Sequence, residues 1–442
     1  MANAFAGFGF PAEAPMGHVF PSEMFLVGSD LSPIENNIDA FLEGLTSWTP
    51  QMQTTGLVEP DMVTVKGSDY AEAFAKMNNL FIRNLWGDSL PVIPPTEEYV
   101  DWILAGTDLD PDETVSAEGG FKPRGGIAKV RTVAAALAMA GGRPEHLPLL
   151  IAAVRAMTDT DAAMQNWNAT TNSVIPVFVV NGPIAKQVRL GSGYGLLGPD
   201  PVHPASQVLG RAVRIMLQNL GGALPGTGTM AIFGGMRATN AFFAEDDEGV
   251  PEGWTTWAED RGYTRDQNVV TMTIVNSMSN MIWEFGESES NDVSLHAMSA
   301  MMAQPDENRF SRPERIKVDN ANLDTGIVLM PRAFASSLVS ANGYSKKDVK
   351  QILWDNSQVS YEKIVSWGYI DLVMQNDIYK DLQPGDMIPV SPVAQQVTVV
   401  VAGGDQGGHG YWMATVLQGN VVSTEVELPV GWDDLLYEAE ID

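Results

Sequence analysis

The stretch VTVVVAGGDQGGHGYWMA, residues 397–414, sets five apolar or β-branched residues directly against glycines 403, 404, 407 and 408, with Asp405 and His409 among them. The five-residue run reads as a strand covered on both faces. The glycine-rich segment behind it reads either as a plain turn or as one lip of a ligand site at the strand's carboxyl end. The glycines let backbone N–H groups approach an anion, although the Lys-Ser/Thr ending of a phosphate-binding loop is missing. In a site lip, His409 is the acid, base or ligand, and Asp405 orients it.

The same pattern recurs upstream. VIPVFVV (174–180), VVTMTIV (269–275) and TGIVLM (325–330) are continuous apolar runs, followed at once by NGP, NSMSN and PR. Helical stretches lie between them, among them ASQVLGRAVRIMLQNLGG (205–222) and the segment from Arg332, which breaks at Gly343 and is capped again at Ser345. Strand, helix, strand in this order predicts an α/β fold with a mainly parallel sheet flanked by helices. The loops after residues 180, 275, 330 and 402 then gather on one side as a crevice. Asn181, Asn276 and Arg332 stand at strand ends and become candidates to hold a substrate.

Three parts are expected: an arm (1–66), a helical subregion (67–170) and an α/β core (171–442). The arm is rich in Pro, Gly, Met and Phe without a sustained period, so it reads as extended. Phe5, Phe8, Phe10, Phe20 and Phe25 predict that it lies on its own body or on a neighbouring subunit, hence a homo-oligomer. In the helical subregion a helix is predicted over 68–85 with Ser68 as cap. EEYVDWIL follows behind Thr96, an alanine-rich helix covers 127–140, and another starts near Pro144.

Composition narrows the function. The 442 residues carry a net charge of −29, from 55 acidic against 26 basic side chains. That balance argues against a general nucleic-acid binder and against attraction to an anionic membrane surface. No run of about eighteen apolar residues occurs, and MANAFAGFGFPAEAPMGHVF lacks the pattern of a signal peptide, so a cytoplasmic protein is expected. With no cysteine, the chain has no disulfide, thiolate zinc site or iron–sulfur cluster of its own.

Other motifs carry two readings each. GYGLLG (193–198) matches G-x-G-x-x-G, but IAKQVRL precedes it and Pro199, Pro201 and Pro204 follow, so it reads as a structured loop over the crevice and not a dinucleotide site. Arg124, in KPRGG, and Arg332 can each fork the carboxylate or phosphate of an anionic substrate, or form a structural ion pair. The histidines are His18, His146, His203, His296 and His409. His296 follows Asp292 by four residues, spacing that suits a divalent metal or an acid–base pair, or merely an acidic, solvated helix start. Met272, Met278, Met281, Met298, Met301 and Met302 read as core filler more readily than as a copper site.

LWGDSLPVIPPTEEYVDWILAGTDLDPDE (85–113), KPRGGIAKVRTVAAALAMAGGRPEHLPLLIAAVRAM (122–157), VIPVFVVNGPIAKQVRLGSGYGLLGP (174–199), LGRAVRIMLQNLGGALPG (209–226) and VTVVVAGGDQGGHG (397–410) together resemble a bacterial family. Its members accompany UGSC-type (seleno)proteins, small proteins with a selenocysteine- or cysteine-containing Gly-Ser-Cys motif. The resemblance implies an enzyme subunit of small-molecule metabolism, a lyase or oxidoreductase that cleaves or reduces a carbon–heteroatom bond with a thiol- or selenol-bearing partner. It also implies a His–Asn pair after the VVTMTIV strand and a His near the last glycine loop. Here Ser279 and Asn280 stand at the first place and His409 at the second. The competing expectation is a noncatalytic subunit that binds a ligand or scaffolds a complex.

Overall fold

The computed structural model describes residues 28–47, 62–117, 119–234, 242–303, 326–389, 391–405, 408–415 and 420–441. All four apolar runs are strands: β1 (Ile175–Asn181), β3 (Val269–Trp283), β4 (Gly326–Met330) and β7 (Val397–Val401). The described strands also include β2 (Phe242–Ala244), a separate small pair β5 (Gln358–Ser360) and β6 (Met387–Pro389), then β8 (Gly408–Thr415) and β9 (Val422–Glu425). The main sheet runs β2-β1-β3-β8-β4-β7, with β9 beside β3. The fold is therefore α/β, with a curled sheet flanked by helices.

The sheet is mixed, where a mainly parallel one was expected. β1–β2 and β4–β7 pair in parallel, while β1–β3, β3–β8, β3–β9 and β4–β8 pair antiparallel. Two segments that read as loops cause the difference. NSMSN continues β3 through fifteen residues, and GHGYWMAT is itself a strand. Its glycines hid it, yet they are there for contact: a Cβ at Gly408 would overlap the Trp283 carbonyl, and one at Gly410 the Met298 methyl group.

β3 also explains the curl. Its first half pairs with β1 through Val269 to Val275, its second half with β8 through Val275 to Trp283, and the register slips between Val275 and Ser277. Such a bulge bends one strand and sharpens its twist, so β3 turns the corner between the two halves of the sheet. At the far edge, the residues after β2 meet the end of β7: Asp246 N donates to the Val401 carbonyl at 2.7 Å.

Alternating side chains along the curled strands feed separate cores. Val177 and Val179 of β1, Ile327 and Leu329 of β4, and Met413 of β8 point into the concave interior. After α1 (Tyr70–Asn84) and α2 (Glu97–Leu104) come α3 (Val130–Ala140), α4 (Leu147–Thr158) and α5 (Pro204–Asn219), towards which Phe178 and Val180 face. Val328, Met330 and Trp412 face α6 (Ser288–Met302), α7 (Arg332–Asn342) and α8 (Lys346–Asn356). Met281, Met298 and Met302 are buried in this last core, as filler.

Two local expectations change. The helix over Tyr70–Asn84 is capped by Asp69, whose carboxylate accepts from Glu72 N, and not by Ser68. Within the arm, Ser32–Glu35 and Ile38–Thr46 are helical instead of extended, and Leu31, Ile34, Ile38 and Leu42 are exposed. Phe5, Phe8, Phe10, Phe20 and Phe25 lie outside the described residues. Among those described, no helix is long and apolar enough to cross a membrane.

Candidate functional site

A cleft of about 450 Å³ opens at the mouth of the concave interior. GYGLLG forms one wall, the ends of β4 and β7 with Pro331, Ala402, Gly403 and Gly404 form another, and Asn280, His409, Gly410 and Tyr411 form the third. The glycine loop is a lid fastened to the sheet. Gly403 N donates to the Ser192 carbonyl at 2.8 Å, Leu196 is buried in the inner core, and the Tyr194 ring lies so close to Gly404 that a Cβ there would overlap it. Gly403 has φ +104°, a conformation that L side chains rarely adopt, which accounts for glycine at that corner.

The third wall follows from register. Asn280 lies opposite Tyr411, and Ile282 opposite His409, so Asn280 and His409 are diagonal neighbours on one face. Down that face the side chains run from His409 at the rim, through Tyr411, to Met413 and Met278 in the inner core. His409 Nδ1 and Asn280 Oδ1 are 3.3 Å apart. A carbonyl oxygen only accepts, so this contact selects the imidazole with its proton on Nδ1 and the lone pair on Nε2. Burial pushes the Tyr411 hydroxyl above its usual range.

The structure redistributes the predicted site residues. His409, Gly403 and Gly404 line the cleft. Asp405 does not orient His409: its carboxylate accepts from Ala333 N at 3.3 Å, at the start of α7, and lies 4.0 Å from Arg332 Nε. Arg332 forks Asp246, to which Nε and Nη2 donate at 2.7 and 2.6 Å, and does not line the cleft. Arg124 braces the turn after α5, packing on Gly222 and donating from Nη1 to the Asn219 carbonyl at 3.4 Å. Gly408 is pressed against the backbone of β3 and gives no room to a ligand. Gly407 lies outside the described residues.

The two asparagines also have other places. Asn276 occupies the β3 bulge, not a strand end, and its Oδ1 is buried without a hydrogen-bond partner. Asn181, at the end of β1, donates through Nδ2 to both Glu245 and Asp247 at 2.7 Å. As for the metal pair, His296 is exposed on α6, while the Asp292 carboxylate accepts from Tyr344 Oη at 2.9 Å and Asn342 Nδ2 at 3.1 Å. Among the described residues no group of three His, Asp or Glu is arranged to hold a metal. His146 is buried, and burial lowers its imidazole to about 4; His203 pairs with Asp200 at 2.6 Å. His18 lies outside the described residues.

One polar cluster escaped the reading of the sequence. In FFAEDDEG (242–249) all four carboxylates are paired, Glu245 and Asp247 sharing Asn181, and together they tie the strand ends. Glu245, 3% exposed, accepts from Asn181 Nδ2 and Trp257 N at 2.7 Å and from Val401 N at 3.2 Å. Asp247 also accepts from Gly182 N at 2.7 Å, Asp246 holds Arg332, and Glu248 holds Lys186. Burial pushes the Glu245 carboxyl up to about 7, against the attraction of Lys346 and its donors, and raises Asp247 as well. The signal in the chain was an acidic run directly after an apolar triplet.

Comparison with family models, with curated proteins and with solved structures finds no match to this chain.

Proposed function

We propose that the chain is an enzyme, or an enzyme subunit, of small-molecule metabolism whose ligand occupies the cleft under GYGLLG, with His409 as its acid–base group and Asn280 as the residue that positions it. The observation that carries this reading is the meeting of His409 and Asn280 at the rim of a cleft whose floor is apolar. Clefts of this size with a few convergent polar groups are the usual form of small-molecule sites. With Nδ1–H held by Asn280, Nε2 takes a proton from the ligand or returns one to it.

The sequence resemblance supports carbon–heteroatom bond cleavage or reduction with a thiol- or selenol-bearing partner. The chain has no cysteine, so a thiol used in such a reaction would come from another molecule. The exposed row Leu31, Ile34, Ile38 and Leu42 supports a homo-oligomer.

The test is a turnover screen of a bacterial metabolite extract, with and without dithiothreitol as thiol donor, read by mass spectrometry. A compound consumed by the native protein and by His296→Ala, but not by His409→Ala, is the expected result. Consumption that is equal with His409→Ala sinks the catalytic role. Retention of a compound without consumption under either condition replaces the enzyme by a ligand-binding subunit.

A further inference from the structure

We infer that the cleft selects a compact neutral molecule with an apolar body and a hydrogen-bonding end, and discriminates against anions. This rests on reading the cleft as a ligand site. None of the described lining residues is a lysine, arginine, aspartate or glutamate.

The apolar end is set by Leu196, Leu197 and Leu329, which belong to or pack on the inner core, so a ligand entering the cleft meets hydrocarbon at depth. The polar side chains of the third wall are His409 and Asn280 at the rim and Tyr411 one step deeper on the same face. A ligand that suits this lining turns its carbonyl, amide or hydroxyl towards that wall and its hydrocarbon towards the leucines. Taking an unpaired carboxylate into such a space costs far more than taking in an amide, because the lost hydration has no replacement.

The mouth reinforces this. Pro331 and Gly404 line the cleft, and the residues directly after them are Arg332 and Asp405. The guanidinium is the cation nearest in sequence to either wall, and Asp246 already binds it through two nitrogens, with Asp405 4.0 Å away. One guanidinium among two carboxylates makes the group next to Pro331 and Gly404 net negative, on a chain of net charge −29. An approaching anion is repelled there, and a neutral molecule is not.

The experiment compares benzamide with benzoate, matched in shape and differing in charge, on the full chain at pH 8. Binding is followed through the imidazole signals of His409, assigned with His409→Gln. Benzamide is expected to shift them with a dissociation constant at least about tenfold below that of benzoate. Asp405→Asn is expected to narrow that gap by improving benzoate alone. Benzoate binding as tightly as benzamide overturns the inference while leaving the ligand site standing. If neither compound moves His409, the ligand-site reading falls, and the inference with it.

Discussion

Asn280 and His409 lie on adjacent antiparallel strands, two residues apart in register, with Oδ1 and Nδ1 3.3 Å from each other. Neither residue is close to the other in the chain; the β3–β8 pairing brings them together. Because the amide oxygen accepts from Nδ1–H, the contact holds one tautomer. Asn280→Ala should therefore shift the His409 tautomer balance away from Nδ1–H, visible as converging ring ¹⁵N shifts at high pH. Since Asn280 is exposed, the melting temperature should change little. Unchanged nitrogen shifts would show that Asn280 does not position the ring.

Arg332 and Asp246 should prove structural. The carboxylate is mostly buried, at 14% exposure, so Arg332→Ala leaves it without its guanidinium and should cost about 1–2 kcal/mol in urea unfolding. Arg332→Lys, which keeps the charge but loses the fork, should fall between the two. An effect of Arg332→Ala on ligand affinity with no loss of stability would return this arginine to the site.

Glu245 makes a pH-dependent contribution with a definite sign. Its carboxyl is raised from 4.5 to about 7 by burial, so the native state holds the proton more tightly than the unfolded chain. Its contribution is complete below about pH 4.5 and is lost as the pH rises towards 7. Asp247, raised in the same direction, adds to the trend, whereas Asp260 and Glu259, both lowered, oppose it. The difference between the native protein and Glu245→Gln isolates the term. The native protein should lose on the order of 3 kcal/mol relative to the variant between pH 4.5 and 7.5. A difference that stays flat with pH would mean that Glu245 is ionised throughout.

Two glycines of β8 should respond differently to alanine. At Gly408 a Cβ meets the Trp283 carbonyl, which is fixed in the β3–β8 ladder, and the strands must part. At Gly410 it meets the methyl end of Met298, which has rotamers to yield. Gly410→Ala should cost about 1–2 kcal/mol, and Gly408→Ala more than about 3 kcal/mol or the fold itself. Thermal unfolding of the pair checks the order, and equal costs would mean that β8 does not lie as close to β3 as the structure places it.

Local chemistry alone was enough for several features. Continuous apolar runs marked β1, β4, β7 and the first half of β3, because a strand covered on both faces needs no polar side. Thr96, Gly343 and Ser345 marked helix ends, because caps and left-handed corners are satisfied by neighbours in the chain. That Gly403, Gly404 and His409 border a cleft was also legible, since a conformationally free loop after a buried strand leaves room for a side chain at the sheet's rim.

Tertiary structure decided the rest. NSMSN and GHGYWMAT have turn-like composition, and only their pairing with each other makes them strands; their hydrogen bonds and the close packing of Gly408 and Gly410 come from residues far away in the chain. That pairing reversed the direction of β8 relative to β4, curled the sheet, and set His409 beside Asn280 instead of Asp405. Arg332 and Asn181 illustrate the same limit. Their position at strand ends was readable, but whether a polar group at a strand end meets a ligand or a carboxylate depends on what the fold brings opposite. Here the EDDE run after β2 reached them first, because buried charge and buried amide must be paired within the protein when water is excluded.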